Sequence, residues 1–503
     1  MLNIFYLHLH IIRYRGGLAV GLFNYDLEPR RDIIFMDIKS NYASIECVLL
    51  GLDPLKASLC VMSHADNSSG LILAASPVFK NVFGKSNVGR SRDLPFCAKT
   101  RKFNYRRWYD ITPSNEYGQI PPPEVKYVEH VEYWAKLTYI VPPQMSIYIE
   151  KNIEINKILA EFTSVDEIHT YSIDESFLDV TESLDYFFPN EKDKRIQLDV
   201  LARSIQLKIF RQTGLYATMG LSNCNPLLAK LAMDNYAKKS DNMRTLINYE
   251  DVEEKLWAIA EMTDFWGIGK RTKIRLNNMG IMNIRDLANY NTDRMKQVMG
   301  IMGLQLIAHA NGIDETSIYD EYKQKNTSFS NSQVLPRDYT TRDEIEVVIN
   351  EMCEQIAVRL RKNKKMATSI ACYVGFSMKE NRKSIKIAKK INPTNNTNEI
   401  QEFIIRLFRE KYVGGAVRNI GLSGNDLTDE AVKQLSFFDV SETNEESEYR
   451  KKEEKIQEAI DKIRKKHNFS TVQKATYLTK GSRVIARTKM IGGHSAGGYE
   501  GLK

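Results

Sequence analysis

The stretch YSIDESFLDVT, residues 171–181, decides how this chain is read. It has the pattern of a short strand, a bend carrying the adjacent carboxylates Asp174 and Glu175, and a second strand. Inside a folded domain two neighbouring carboxylates repel each other and resist desolvation, so their presence needs a reason. One reason is a solvated hairpin turn, where Asp is common. The other is a divalent-metal site, because a hard cation such as Mg2+ prefers carboxylate oxygens held on strand ends. A third carboxylate from elsewhere in the chain would decide between them.

The candidate lies well over a hundred residues earlier, in DIIFMDIKSNYASIECVLLG at 32–51. Ile33, Ile34, Phe35 and Met36 form a continuous apolar run suited to a strand buried on both faces, and the run ends at Asp37. Ser40 or Asn41 can then cap a helix that continues through Ala43, Ile45, Glu46 and Leu49 to Gly51. Asp37 therefore stands where a strand gives way to a helix, a place from which a side chain reaches a ligand. An Asp there is also common simply as a helix-start residue.

With 503 residues the chain is too long for one core, and about three to four domains are expected. At 43% hydrophobic and 27% charged it has the composition of an ordinary globular protein, and no apolar run approaches a membrane span. The six cysteines are scattered, with neither a CxxC pair nor matching His spacing. That argues against a zinc site or disulfide framework and for a reducing cytoplasm. The net charge of +8 is mild, but residues 325–433 carry 19 Lys and Arg against 13 Asp and Glu. A localised basic surplus points to a polyanion, although such surfaces are often only solvated. Residues 1–30 are read as a loosely attached extension.

Several segments between these landmarks carry further signals. FKNVFGKSNVGRSR at 79–92, with Lys80, has the composition of a positively charged flap. The order from residue 32 is strand-helix, strands, helix, carboxylate hairpin, helix, strand, which predicts a mixed sheet with helices on one side, as in palm-type or ferredoxin-like folds. FWGIGKRTKIRLNNMGI at 265–281 has the pattern of a helix-hairpin-helix. There Gly267 and Gly269 let backbone N–H groups approach a DNA phosphate, with Lys270 and Arg271 beside them. QLSFFDV at 434–440 reads as a short peptide that docks in a hydrophobic groove of another protein. The glycine-rich end, IGGHSAGGYEGLK, is expected to be disordered.

FMDIKSNYASIE at 35–46, SIDES at 172–176 and GLSNCNPLLAKLA at 220–232, in that order and with the two preceding motifs, resemble the Y-family translesion DNA polymerases, nearest the UmuC-type lesion-bypass enzymes of bacteria. The resemblance runs over about residues 31–440. It implies an α+β right hand: palm at 31–50 and 98–250, small fingers at 51–97, a helical thumb at 251–320 and an α+β little finger at 325–433, with a clamp-binding peptide and flexible tail at 434–503. Asp37, Asp174, Glu175 and the backbone carbonyl of Ile38 become the ligands of two Mg2+ ions. Tyr42 becomes the steric gate against ribonucleotides, and Lys80 and Lys230 the triphosphate contacts. Gln434, Leu435, Phe437 and Phe438 become the clamp-binding residues. The implied partners are primer-template DNA, dNTP and a sliding clamp, with a UmuD-like protein or a recombinase filament left open. The implied function is error-prone synthesis without proofreading in the SOS response.

The chain also departs from the pattern. Pro77 and Lys80 stand where many relatives carry Tyr and Arg, and Lys lacks the bidentate fork of Arg. Pro226 stands where some relatives carry Lys, and Phe437 where clamp-binding peptides usually have Leu. Two rival readings are a DNA-binding repair factor that kept the fold without the chemistry, and another palm enzyme such as a nucleotide cyclase. The first has no use for three convergent carboxylates, and the second leaves the helix-hairpin-helix unexplained.

Overall fold

The computed structural model describes residues 24–63, 70–84, 89–319, 327–429, 444–467, 469–488, 490–491 and 494–495. Its described residues fall into two units that divide between Glu321 and Tyr322.

The first unit begins with the predicted buried strand β1 (Ile33–Ile38) and helix α1 (Asn41–Leu49). Strands β2 (Leu59–Met62) and β3 (Leu71–Ala75), helix α2 (Pro77–Phe83), strand β4 (Gly89–Arg90), helices α3 (Tyr105–Ile111) and α4 (Val125–Leu137) and strand β5 (Tyr139–Val141) follow. These strands make a small sheet in the order β4-β3-β2-β5, with β5 parallel to β2. Its core draws Phe79, Phe83 and Phe96 together with Phe103, Val131 and Ala135. Residues 98–141 thus share a sheet and a core with 59–96, which corrects the expected boundary at 97. The parallel pairing of β5 decides it, and no local pattern in the sequence reveals a strand partner eighty residues away.

Helix α5 (Met145–Leu159), strands β6 (Ile168–Thr170) and β7 (Glu175–Asp179), helices α6 (Thr181–Phe187) and α7 (Lys194–Thr213), strand β8 (Ala217–Ser222), helix α8 (Pro226–Asn235) and strand β9 (Arg244–Leu246) complete the larger sheet. Its order is β6-β7-β1-β8-β9, mixed as expected, with β1 in the centre. One face, through Ile34, Met36 and Ile38, packs on α5 and α7. The other face, through Ile33, Phe35 and Phe177, packs on Ala229 and Met233 of α8. Helices therefore cover both sides of this sheet, not one. The close approach of α8 requires Gly220, since a Cβ there would lie 1.9 Å from the Ala229 carbonyl oxygen.

Helices α9 (Lys270–Asn278), α10 (Ile284–Ala288), α11 (Thr292–Met299) and α12 (Ile301–Ala310) form a helical lobe whose core also takes in Leu227, Leu228 and Leu231 of α8. Residues 24–30, expected to be loosely attached, are docked instead. The Tyr25 ring stacks on Tyr249 at 4.7 Å, and its hydroxyl donates to the Asn311 carbonyl at 2.9 Å.

In the second unit, β10 (Phe329–Tyr339), β11 (Lys365–Phe376), β12 (Ile385–Thr394) and β13 (Val417–Asp429) make an antiparallel sheet in the order β10-β13-β11-β12. Helices α13 (Arg342–Lys362) and α14 (Thr397–Lys411) share its core. Lys386, Lys389 and Lys390 are exposed on the edge strand β12.

The expected flexible tail is corrected over most of its length. Helix α15 (Asn444–Lys466), the turns that follow and α16 (Val484–Thr488) are folded onto α13 and α14. Arg464 pairs with Glu354 at 3.0 Å, both nearly excluded from solvent, and Arg361 pairs with Asp461 at 2.7 Å. Tyr477 and Val484 are buried, and the Glu351 carboxylate accepts from the backbone of Arg483 at 3.0 Å. The docked stripe of α15 is polar: Glu453, Gln457, Asp461 and Arg464 all hold partners on the sheet's helices or their connections. Ile456 and Ile463 remain 50% and 43% exposed. A helix that docks by its polar stripe gives no hydrophobic signal of docking. Gln434, Leu435, Phe437 and Phe438 lie outside the described residues, as do residues 1–23.

Candidate active site

Strand β1 delivers Asp37 to the end of the larger sheet, opposite Glu175 on β7 and Thr218 on β8 in antiparallel register. The turn before β7 is tied to the same strand end by the Ile38 N–H, which donates to the Asp174 carbonyl at 3.0 Å. Strand register thus brings Asp37, Asp174 and Glu175 into one cleft of about 660 Å³, whose lining also includes Ile38, Lys39, Tyr42, Lys80, Thr218 and Lys238. Ser172 organises the hairpin. Its hydroxyl donates to Asp174 Oδ1 at 2.7 Å and accepts from the Glu175 N–H at 3.1 Å. Short turn-forming hydrogen bonds of this kind fix where a carboxylate points.

Asp37 is strained electrostatically. Burial is the main cause that pushes its carboxyl up to about 6, and the negative charges of Asp174 and Glu175 add to it. The Lys238 ammonium, 3.3 Å away, works in the opposite direction. Lys238 also pairs with Asp234 at 3.0 Å. Burial favours its neutral form, but the Asp37 and Asp234 carboxylates outweigh burial and hold its pKa above the usual lysine value. Lys80 donates to the Ser40 hydroxyl at 2.9 Å, and burial holds its pKa below the usual value. Lys39 is lowered for the same reason. A cleft lined by three carboxylates and three lysines is suited to an anionic ligand carried with cations.

Lys230 is placed differently from its expected role. It is buried under the sheet, pairs with Glu175 and with Asp234 at 3.3 Å each, and lies over the Phe35 ring at 4.2 Å. It does not line the cleft; Lys238, two turns further on, does. The sequence carries both lysines in one run, and helical phase alone does not say which one the sheet covers. Lys238 is not among the residues that the resemblance implies, and its local signal is its place in the basic segment NPLLAKLAMDNYAKK at 225–239.

The donor set is all hard oxygen, which suits a divalent cation of the Mg2+ class. Among the described residues, however, no three acidic or imidazole side chains stand close enough together to share one ion. Asp37 faces Lys238 and Asp174 accepts from Ser172 instead. Tyr42, half-buried on α1, places its ring along the cleft wall.

In the helical lobe the predicted Gly267 and Gly269 sit in an exposed turn, Gly267 with a φ of +93° that favours glycine. Lys270 and Arg271 are exposed at the start of α9. The turn is entered from a short 3-10 segment, Met262–Asp264, not from a full helix.

The chain matches the impB/mucB/samB family over residues 123–234 and that family's C-terminal domain over 326–437. UvrX of Bacillus subtilis (strain 168) is 33% identical over 476 residues, which span 94% of this chain and 100% of the relative. DNA polymerase IV 2 of the same organism is 32% identical over 366 residues, 71% of this chain and 82% of the relative. A Y-family DNA polymerase chimera of known structure superimposes with a TM-score of 0.54 at 21% identity, covering 79% of this chain and 99% of that one, and shows the shared fold. No helix among the described residues is long and apolar enough to cross a membrane. Matching domains in the right order, a relative matched over nearly the full length and the shared fold agree: the chain belongs to the impB/mucB/samB family of Y-family, UmuC-like DNA polymerases.

Proposed function

We propose that this chain is a DNA-directed DNA polymerase that carries out error-prone translesion synthesis after DNA damage, adding dNTPs to a primer 3′-hydroxyl. The observation that carries this reading is the register of β1 between β7 and β8, which puts Asp37, Asp174 and Glu175 in one cleft with Lys39, Lys80 and Lys238. A relative named for UV-damage repair and several named DNA polymerase IV support it. In this reading the larger sheet is the palm, the small sheet the fingers, the helical lobe the thumb, and the β10–β13 sheet with α13 and α14 the little finger expected at 325–433.

Asp37, Asp174, Glu175 and the Ile38 carbonyl would hold two divalent cations, which supply Lewis acidity toward the primer hydroxyl and the leaving pyrophosphate. Lys39, Lys80 and Lys238 hold the triphosphate. Lys80 and Lys39 are under-compensated in the folded protein, so an arriving polyphosphate recovers charge-assisted hydrogen bonds there. Lys230 fixes the Glu175 carboxylate in place of touching the nucleotide. Tyr42 occupies the space beside the incoming sugar. The exposed 267–271 turn and the lysines of β12 grip DNA backbone without regard to sequence, which gives salt-sensitive binding. The absence of proofreading, the SOS setting, and a sliding clamp engaged through Gln434, Leu435, Phe437 and Phe438 belong to the same proposal.

Primer extension with Mg2+ and dNTPs on damaged and undamaged templates tests it. Wild type should extend and Asp174→Ala should not. No extension by wild type, with a sliding clamp and accessory proteins supplied, would favour a binding-only repair factor.

A further inference from the structure

Tyr42 does not stand on the cleft wall unsupported. Its ring lies parallel to that of Tyr148 on α5, with centroids 4.4 Å apart and planes 14° from parallel. Tyr148 is completely buried, and its hydroxyl donates to Glu46 Oε1 at 2.6 Å. Glu46 lies one helical turn after Tyr42 on α1, is 3% exposed, and takes a second donor from Gln144, whose amide reaches its two oxygens at 3.3 and 3.1 Å. A loop of contacts is thereby closed: Tyr42 and Glu46 on α1, Tyr148 at the start of α5, and Gln144 just before it.

Glu46 is unusual in this setting. It forms no ion pair within 4.0 Å among the described residues, and its polar contacts are with two neutral groups. Burial raises its pKa, and the hydrogen bonds from Tyr148 and Gln144 pull against that rise. A buried carboxylate without a cation is costly, and Glu46 neither lines the cleft nor faces the Asp37–Asp174–Glu175 group. What it does is hold the Tyr148 hydroxyl, and Tyr148 holds the Tyr42 ring.

We propose that Glu46, Tyr148 and Gln144 are positioning residues that brace Tyr42 and thereby set how strongly the enzyme rejects ribonucleotides. The inference rests on the reading of Tyr42 as the residue facing the incoming sugar. Exclusion of a single hydroxyl depends on a wall that does not yield. A ring held only by its own side-chain torsions can swing aside, whereas one stacked on a second ring loses that contact when it moves, and the second ring is itself held in place by its hydrogen bond to Glu46. Shifts of about 1 Å in a positioned group are enough to change rates by large factors.

The test is single-nucleotide insertion by the full-length protein, reading kcat/KM for a dNTP and for the matching ribonucleotide. Tyr148→Leu, which removes the stacked ring, should lower the dNTP-to-ribonucleotide ratio by about tenfold or more, in the same direction as Tyr42→Ala. Tyr148→Phe keeps the ring and loses the anchor, and Glu46→Gln keeps the shape and weakens the acceptor. Each should lower the ratio by about threefold, less than Tyr148→Leu. A merely structural role would reduce both kcat/KM values together and leave the ratio fixed. If Tyr42→Ala relaxes sugar choice but Tyr148→Phe and Glu46→Gln leave the ratio at the wild-type value, the brace is overturned and the gate stands, even if Tyr148→Leu fails to fold. If Tyr42→Ala itself leaves the ratio unchanged, the underlying reading of Tyr42 fails instead.

Discussion

The cleft of the larger sheet and the back of the second unit are both rich in charge, and they use it in opposite ways. In the cleft, Asp37 is pushed up to about 6 by burial and its neighbours, and Lys80 and Lys39 are held below their usual values. These groups are incompletely compensated. Behind the second sheet, Arg464 and Glu354 are both nearly excluded from solvent and pair at 3.0 Å, while Arg361 is shared among Asp461, Gln457, Thr397 and the Asn395 carbonyl. Charge left unsatisfied in the folded protein is available to a ligand, and charge satisfied internally holds one segment against another. The two regions show that buried charge by itself says nothing about function until its partners are counted.

The comparison can be broken most directly at Asp37. Asp37→Asn should cost about 10³-fold or more in nucleotide insertion, because the proposed cation ligand is lost. The melting temperature should hold or rise, because a carboxylate whose ionisation opposes burial is gone. A large drop in melting temperature would place Asp37 among the structural charges.

Arg464→Ala should do the reverse. It leaves Glu354 buried without its cation, and about 3–5 kcal/mol should be lost from the second unit. Denaturant titration would show this, with hydrogen exchange placing the loss in α13 and α15 and sparing the larger sheet. Near-wild-type stability would mean that α15 is held by its outer layer of contacts and not by the buried pair.

Asp32 is an intermediate case on the larger sheet. It is 5% exposed, its nearest cation is Lys194 at 4.0 Å, and burial pushes it up to about 6 from 3.8. Its folded pKa exceeds its unfolded one, so the folded state binds the proton more tightly. The stabilisation is present in full below about pH 4 and is lost as pH rises through 6. A shift of this size corresponds to as much as about 3 kcal/mol. Asp32→Asn should therefore stabilise the protein at pH 8 and matter little at pH 4, which stability measured against pH would show.

The smallest expected effect separates Lys230 of α8 from Lys238 in the turn that follows it. Lys238→Ala should raise the KM for dNTP by about tenfold, as a charge-assisted phosphate contact is lost. Lys230→Ala should act on kcat through the released Glu175 carboxylate, with KM little changed. Equal KM effects would mean that both side chains reach the nucleotide.

Much of this was legible along the chain. The buried run Ile33–Met36 ending in Asp37, the bend at Asp174 and Glu175 and the glycine turn at 267–269 are patterns of local period and turn chemistry, and the structure builds a strand end, a hairpin and a turn from them. The same local reading could not assign Lys230 and Lys238, because Lys230 lies on α8 against the Phe35 ring whereas Lys238 falls in the turn after the helix, beside the cleft. Nor could it place 98–141 with the small sheet, dock residues 24–30, or fold α15.

The residues of the site, and the chemistry open to three carboxylates beside a run of lysines, were determined by the sequence itself, since charge and side-chain type do not depend on partners. Tertiary structure alone decided which of those charges remain available. The register of β1 between β7 and β8 sets which side chains meet across more than a hundred residues, and the packing of α8 buries Lys230 while Lys238, in the turn that follows the helix, lines the cleft. The physical reason is that availability depends on surroundings: a charge becomes a ligand site or a fastening according to how the fold pairs it and how far it shuts it away from the cleft, as the half-exposed Lys238 and the buried Lys230 show.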